Sequence, residues 1–129
     1  MDLIYKKWLP LPDIPDRLLF EALYHEPDEK FRVFLRSEDD NRLLKICFEF
    51  VLMYAATNES YLLRTLQETA RRDPGCLYTV EQSRLLQRFH EESLGIYQDW
   101  NITHYAILTP EECVDILSTV KPEVSWTKR

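Results

Sequence analysis

The chain has 129 residues, of which 45% are hydrophobic, and a formal net charge of −6. That is enough apolar material for one folded domain spanning residues 1–129, and the acidity opposes binding to nucleic acid or to anionic lipid. The only two glycines, Gly75 and Gly95, exclude a glycine-rich phosphate loop, which needs several positions without a Cβ.

Residues 1–12 mix Ile4, Trp8, Leu9 and Leu11 with Lys6, Lys7 and two prolines, and read as a short edge strand or extended arm ending at Pro10. This opening lacks the apolar run of a signal peptide, and no window approaches the ~20 apolar residues of a membrane span. A cytoplasmic protein with no membrane partner is therefore expected. Asp13-Ile14-Pro15-Asp16 is a turn or a helix start. Residues 18–25 fit either a short helix or the first strand of a meander, and the spacing to the next run favours the strand.

From Phe31 to Ala56 the chain carries its clearest pattern. Phe31, Val33 and Leu35 alternate with Arg32, Phe34 and Arg36. Leu44, Ile46, Phe48, Phe50, Leu52 and Tyr54 then recur at every second position, the period of a strand with one buried face. The polar run Ser37-Glu38-Asp39-Asp40-Asn41 between them suits a turn. The expected core is a hairpin with a long second strand, within a meander over 18–56.

Helical signals follow. Asn58 is a good N-cap, with Leu62, Leu63, Leu66 and Ala70 on one face and Asp73-Pro74-Gly75 as the stop. Cys76–Val80 is short and strand-prone. Thr79 and Gln82 fit a capping box for a helix running to about Tyr97, with Leu85, Leu86, Phe89, Ser93, Ile96 and Tyr97 on its inner side. A loop around Trp100 leads to a strand at 104–108. Thr109-Pro110-Glu111-Glu112 then reads as the plainest helix cap in the chain, opening a short helix with Cys113, Ile116 and Leu117 buried. Lys121-Pro122 ends it, and 123–127 closes the sheet. The expected fold is α+β: an antiparallel sheet of about five strands packed with about three helices.

Chemistry is harder to find. Cys47, Cys76 and Cys113 are far apart, odd in number and without a CxxC, so reduced thiols are expected rather than disulfides or zinc. His90-Glu91-Glu92 begins like a zinc-protease helix, but Leu94 stands where the second histidine ligand belongs. Cys76 with His104, or Cys113 with His25, would supply a nucleophile and a base only if the fold brought them together. Glu38-Asp39-Asp40 and Glu111-Glu112 are paired carboxylates that a turn and a helix start account for. Basic residues come as isolated pairs rather than as a stripe. No catalytic residue, metal or cofactor is expected from these patterns.

Acidic clusters are the surface feature that stands out, since they would steer a basic partner. Trp100, in a loop, adds an aromatic of the kind that anchors interfaces. The residues expected to touch a partner are Glu38, Asp39, Asp40, Glu59, Glu91, Glu92 and Trp100.

Three stretches taken together carry a resemblance: Tyr54–Leu63, then Leu77–Glu81 with His90–Tyr97, then His104-Tyr105 with Cys113–Leu117. They resemble a family of small bacterial proteins similar to the immunity proteins of polymorphic or contact-dependent toxin systems. The resemblance implies a non-enzymatic cytoplasmic inhibitor that binds and neutralises a cognate, basic toxin domain, and it carries over no catalytic residue. The alternative is a small-ligand-binding or regulatory domain with a pocket between sheet and helices.

Overall fold

A computed structural model describes residues 4–58 and 75–128. Along the chain run β1 (Ile4–Lys7), β2 (Leu19–Tyr24), β3 (Phe31–Arg36), β4 (Arg42–Phe48), β5 (Met53–Asn58), β6 (Leu77–Glu81), helix α1 (Arg84–Glu92), β7 (Thr103–Leu108), β8 (Glu112–Ser118) and β9 (Glu123–Lys128). The strands form two antiparallel sheets, one of five in the order β1-β6-β7-β8-β5 and one of four in the order β2-β3-β4-β9. The expected α+β fold is thus corrected to a mostly β, two-sheet architecture with a single short helix among the described residues.

Alternation explains how the sheets meet. On β3 and β4, Val33, Leu35, Leu44, Ile46 and Phe48 are fully buried, and on β7 and β8 so are Ile107, Val114 and Ile116. All of them belong to one cluster with Leu18, Phe31, Leu77 and Tyr105. Two inner faces therefore close on a shared core, as in a β-sandwich. The rings of Phe48 and Tyr105, one from each sheet, lie 5.2 Å apart edge to face, a geometry that adds to their area burial.

The strand expected to run from Leu44 to Tyr54 is in fact two strands. β4 stops at Phe48, residues 49–52 cross between the sheets, and β5 pairs with β8 in the other sheet. Alternation cannot register this switch, because both inner faces look onto the same core. Leu44, Ile46, Phe48 and Tyr54 all reach that core, whereas Phe50, at the corner, is exposed. The corner is anchored by polar bonds: Ser118 Oγ donates to the Phe50 carbonyl at 2.5 Å, and the Leu52 amide donates to the Leu117 carbonyl at 2.8 Å.

Two expected helices differ as well. The segment after Thr109 is strand β8, not a helix. Thr109 Oγ1 accepts from the Glu112 amide at 3.0 Å and donates to its carbonyl, while the Thr109 amide also donates to that carbonyl at 3.0 Å. A threonine bonded to the amide three residues on serves a hairpin turn as well as a helix start, and the following ECVDILS alternates between two buried faces. The helix expected to follow a cap at Thr79 begins later and ends sooner. Thr79 lies within β6, Ser83 is the cap, and the helix gives way to turns at Ser93. Of the helix expected to follow a cap at Asn58, Asn58 itself is the last residue of β5 and the remainder lies outside the described residues.

Unlike a sheet with one wet face, the five-stranded sheet buries residues on both. Tyr78, Val80, Ala106, Leu108 and Cys113 form a second cluster on its outer side, with Tyr5 packed against it. Strand β7, THYAIL, is buried at every position but the first.

Ile46→Ala should lower stability by about 2–5 kcal/mol through cavity formation, read as a fall in the urea midpoint. Ser118→Ala should cost about 1–3 kcal/mol, because it strips the corner carbonyl of its donor. Phe50→Ala should lose far less than Ile46→Ala.

Candidate functional site

Two features of the connection between β6 and β7 (residues 82–102) stand out. The first is a displayed surface. Helix α1 is capped by Ser83, whose Oγ accepts from the Leu86 amide at 3.0 Å. The chain then reverses through Leu94 and Gly95, at φ 55° and 75°. Glycine takes that conformation freely, whereas leucine is strained in it. The amide of Gly95 donates to the His90 carbonyl at 2.9 Å, which closes the helix end.

An aromatic stack holds this connection against the sandwich. Phe89 lies 5.5 Å from Tyr97, Tyr97 lies 4.7 Å from Trp100, and Trp100 lies 6.5 Å from Phe50 at the sheet-switching corner. Ser118 Oγ, bonded to Phe50, also bonds Val120, bringing that residue to the same corner. Leu94 is 89% exposed, Ile96 72% and Trp100 46%. Interleaved with them, Glu91, Glu92 and Asp99 are exposed and make no ion pair among the described residues. Of the residues expected on a partner surface, Glu91, Glu92 and Trp100 therefore share one connection.

The others lie elsewhere. Glu38, Asp39 and Asp40 occupy the β3–β4 turn. Glu111 in the β7–β8 turn accepts from the Phe20 amide at 3.3 Å, so both turns sit at the same end of the sandwich. Trp100 and Phe50 mark the opposite end, on the order of 20 Å away along β4 at ~3.3 Å per residue. Two of the three turn carboxylates are already paired. Glu38 meets Arg17 at 3.2 Å, and Asp40 accepts from both the Arg42 amide and its guanidinium. The amide bond, with the guanidinium behind it, holds the Asp40 carboxyl below the usual carboxylate range. Glu59 falls outside the described residues.

The second feature is a polar relay on the outer face of the five-stranded sheet, which sequence reading missed. His104 on β7 pairs across the ladder with Leu117 of β8, so Asp115 is its diagonal neighbour on the same face. His104 Nε2 lies 2.7 Å from Asp115 Oδ1, and His104 Nδ1 lies 2.6 Å from Ser83 Oγ. An ionised carboxylate only accepts, so Nε2 carries the hydrogen, and in the neutral ring Nδ1 accepts from the serine. His104 is buried, with only 5% exposure. Tyr5 lies close by: burial, then the charges of Asp115 and Cys113, push its hydroxyl far above the ordinary range. The three residues are 21 and 11 positions apart in sequence, and only the strand ladder and the helix cap bring them together.

Ser83 opens onto a cleft of about 1010 Å³ beside α1, lined among others by Gln82, Leu86, Gln87, Leu94 and Gln98. His90 also lines it, with a buried Nδ1 that has no hydrogen-bond partner among the described residues.

The cysteines are buried and unbridged. Neither expected Cys–His pair forms a described contact: Cys76 Sγ donates to the Pro15 carbonyl at 3.6 Å, and His25 packs against Phe31 and Tyr54. Among the described residues, no group of three or more His, Cys, Asp or Glu could hold a metal ion, and no helix is long and apolar enough to cross a membrane. No family model matches the chain, and no curated protein or solved structure matches it either.

Burial, then the nearby Asp16, pushes the Cys76 thiol up to about 12. Alkylation of native Cys76 at pH 8 should therefore be far slower than in urea, as measured by mass spectrometry of trapped thiols. The sign for stability follows. An unfolded thiol ionises near its ordinary value of 9.0 and the native one near 12, so this group's contribution is whole below pH 9 and declines as pH rises towards 12.

Proposed function

We propose that this chain is a bacterial immunity-type protein, acting in the cytoplasm, that binds and neutralises a cognate basic toxin domain through residues 91–100. The observation that carries this reading is the display of Leu94, Ile96 and Trp100 beside Glu91, Glu92 and Asp99, none of which has an ion-pair partner among the described residues. Leu94 takes the left-handed conformation that ends the helix, and it holds its apolar side chain out in water.

The chemistry of the patch indicates the partner. Apolar residues bordered by free carboxylates suit a surface that is apolar at its centre and cationic at its rim. A nuclease or another enzyme acting on a polyanion has a positive substrate site, and an acidic cover would block it. The protein's overall charge of −6 would speed the encounter. The β3–β4 turn contributes less in this reading, because Glu38 and Asp40 spend their charge on Arg17 and Arg42. The resemblance of Tyr54–Leu63, of Leu77–Glu81 with His90–Tyr97, and of His104-Tyr105 with Cys113–Leu117 to small bacterial proteins similar to immunity proteins points the same way.

Tagged protein expressed in its native host should retain a basic secreted domain at near one-to-one stoichiometry, and the purified complex should lack that domain's toxic activity. Against this partner, the triple variant Glu91→Lys, Glu92→Lys, Asp99→Lys should slow association at least tenfold at low salt. Trp100→Ala should speed dissociation by about 30-fold, the size of a hot-spot loss of ~2 kcal/mol. Uninhibited toxin activity in the complex would refute neutralisation, and unchanged kinetics in both variants would remove this surface from it.

A further inference from the structure

We propose that Ser83, His104 and Asp115 form a nucleophilic relay that hydrolyses short-chain carboxylic esters bound in the cleft beside α1. The relay uses other atoms than the docking surface proposed above, although the cleft beside it shares Glu91 and Leu94 with that surface.

Four observations carry the proposal. The first is the hydrogen-bond chain itself: Ser83 Oγ to His104 Nδ1 at 2.6 Å, and His104 Nε2 to Asp115 Oδ1 at 2.7 Å. A hydroxyl, a base and an acidic orienter within bonding reach of one another are the parts of an activated nucleophile, recognised by role and geometry rather than by order in the chain. The two ring nitrogens are exchanged relative to the familiar serine protease arrangement. The proton path from hydroxyl to ring, with the carboxylate supporting the far nitrogen, is the same.

The second is the local backbone. β6 ends at Glu81, Gln82 turns sharply at φ 54°, and Ser83 stands at the entrance to α1. A strand, a sharp turn and a helix that together present a serine resemble a nucleophile elbow, although here Ser83 itself is extended at φ −70° and ψ 122° and the positive φ lies one residue before it. The flanking residues here are Gln82 and Arg84, so the turn is built without glycine. Gln82 bears the positive φ by which the chain turns from β6 into the helix cap.

Third, the helix start supplies donors. The first backbone bonds of α1 are those from the Leu86 amide to Ser83 Oγ and from the Gln87 amide to the Ser83 carbonyl. The amides of Arg84 and Leu85 make no hydrogen bond among the described residues. Two adjacent free amides next to the serine are suited to an oxyanion, and the Arg84 amide is that of the residue following the nucleophile.

Fourth, the serine faces space. Ser83 lines a cleft of about 1010 Å³, and Leu86 and Leu94 give the cleft apolar ground for a short acyl chain. Gln82, Gln87 and Gln98 line the same cleft, together with His90 and the charged Arg84 and Glu91.

The chemistry balances. Ser83 Oγ attacks the carbonyl carbon while its proton passes to His104 Nδ1, and Asp115 stabilises the resulting imidazolium through Nε2–H. The tetrahedral oxyanion collapses, the C–O bond to the alcohol breaks, and the alcohol leaves with the proton from Nδ1. Water then attacks the Ser83 ester, giving its proton to Nδ1. The carboxylic acid departs as that proton returns to Ser83.

The test is carried out on the full-length protein. It is incubated with a fluorophosphonate probe and, separately, with p-nitrophenyl acetate. One covalent adduct at Ser83 by peptide mass mapping and a stoichiometric burst of p-nitrophenol are expected. His104→Gln, with a native circular dichroism spectrum, should label at least 100-fold more slowly. Asp115→Asn should show a smaller loss, and Ser83→Ala should show none of the adduct. No adduct at Ser83 in the wild-type protein, or equal labelling in folded His104→Gln, would overturn the proposal and leave Ser83 as a helix cap alone.

Discussion

The contact between the two inner sheet faces is the constraint on which the rest of this molecule depends. Phe48 meets Tyr105 across it, and the buried residues of β3, β4, β7 and β8 complete the layer. Neither sheet could expose that face to water: side chains of this size each contribute about 1.5–3 kcal/mol on burial. The chain satisfies both faces by switching sheets at residues 49–52, so neighbouring segments of sequence supply opposite layers. Once β5 is committed to pairing with β8, the corner at Phe50 follows, and with it the site where Trp100 and the β6–β7 connection rest.

The outer face of the five-stranded sheet is governed by different physics. It buries Tyr78, Val80, Ala106, Leu108 and Cys113, but also His104, a polar residue that cannot be left unsatisfied there. Asp115 and Ser83 satisfy both of its ring nitrogens. The same bonds tie the helix cap to the sheet, so the entrance of the β6–β7 connection is set by the ladder and its far end by the aromatic stack. That connection is thus held at both ends, while Leu94 and Ile96 between them stay in water. A surface displayed in this way loses little conformational entropy on binding, which favours affinity without large area.

The acidity of the protein is unevenly available. Carboxylates at Glu21, Glu26, Glu38, Asp40 and Glu49 meet arginines or lysines of the four-stranded sheet and its flanks. Exposed pairs of this kind contribute little stability, but they do remove charge from the field that a partner meets. The carboxylates of Glu91, Glu92 and Asp99 remain to project it, as do those of Asp28, Glu29, Asp39 and Glu123.

The amino-acid sequence by itself determined where most strands lie, because alternation along a strand is a local property that needs only one buried face. The run at 31–36 could be read this way, as could the first half of the run from Leu44 to Tyr54 and the strand-prone segments at 76–80, 104–108 and 123–127. It also marked Trp100 and the Glu91-Glu92 pair as surface candidates, since polar and loop-borne residues declare themselves without tertiary information. Only the tertiary structure decided which sheet each strand joins, because both inner faces share one core and alternate identically. It decided, too, that Thr109 closes a hairpin rather than opening a helix, since the same side-chain bond to the amide three residues on serves either, and the choice falls to the partners of β8. The Ser83–His104–Asp115 chain was invisible in the sequence for a related reason. Its members carry no local motif, and they meet only through the register of β7 on β8 and the cap that places α1 against them.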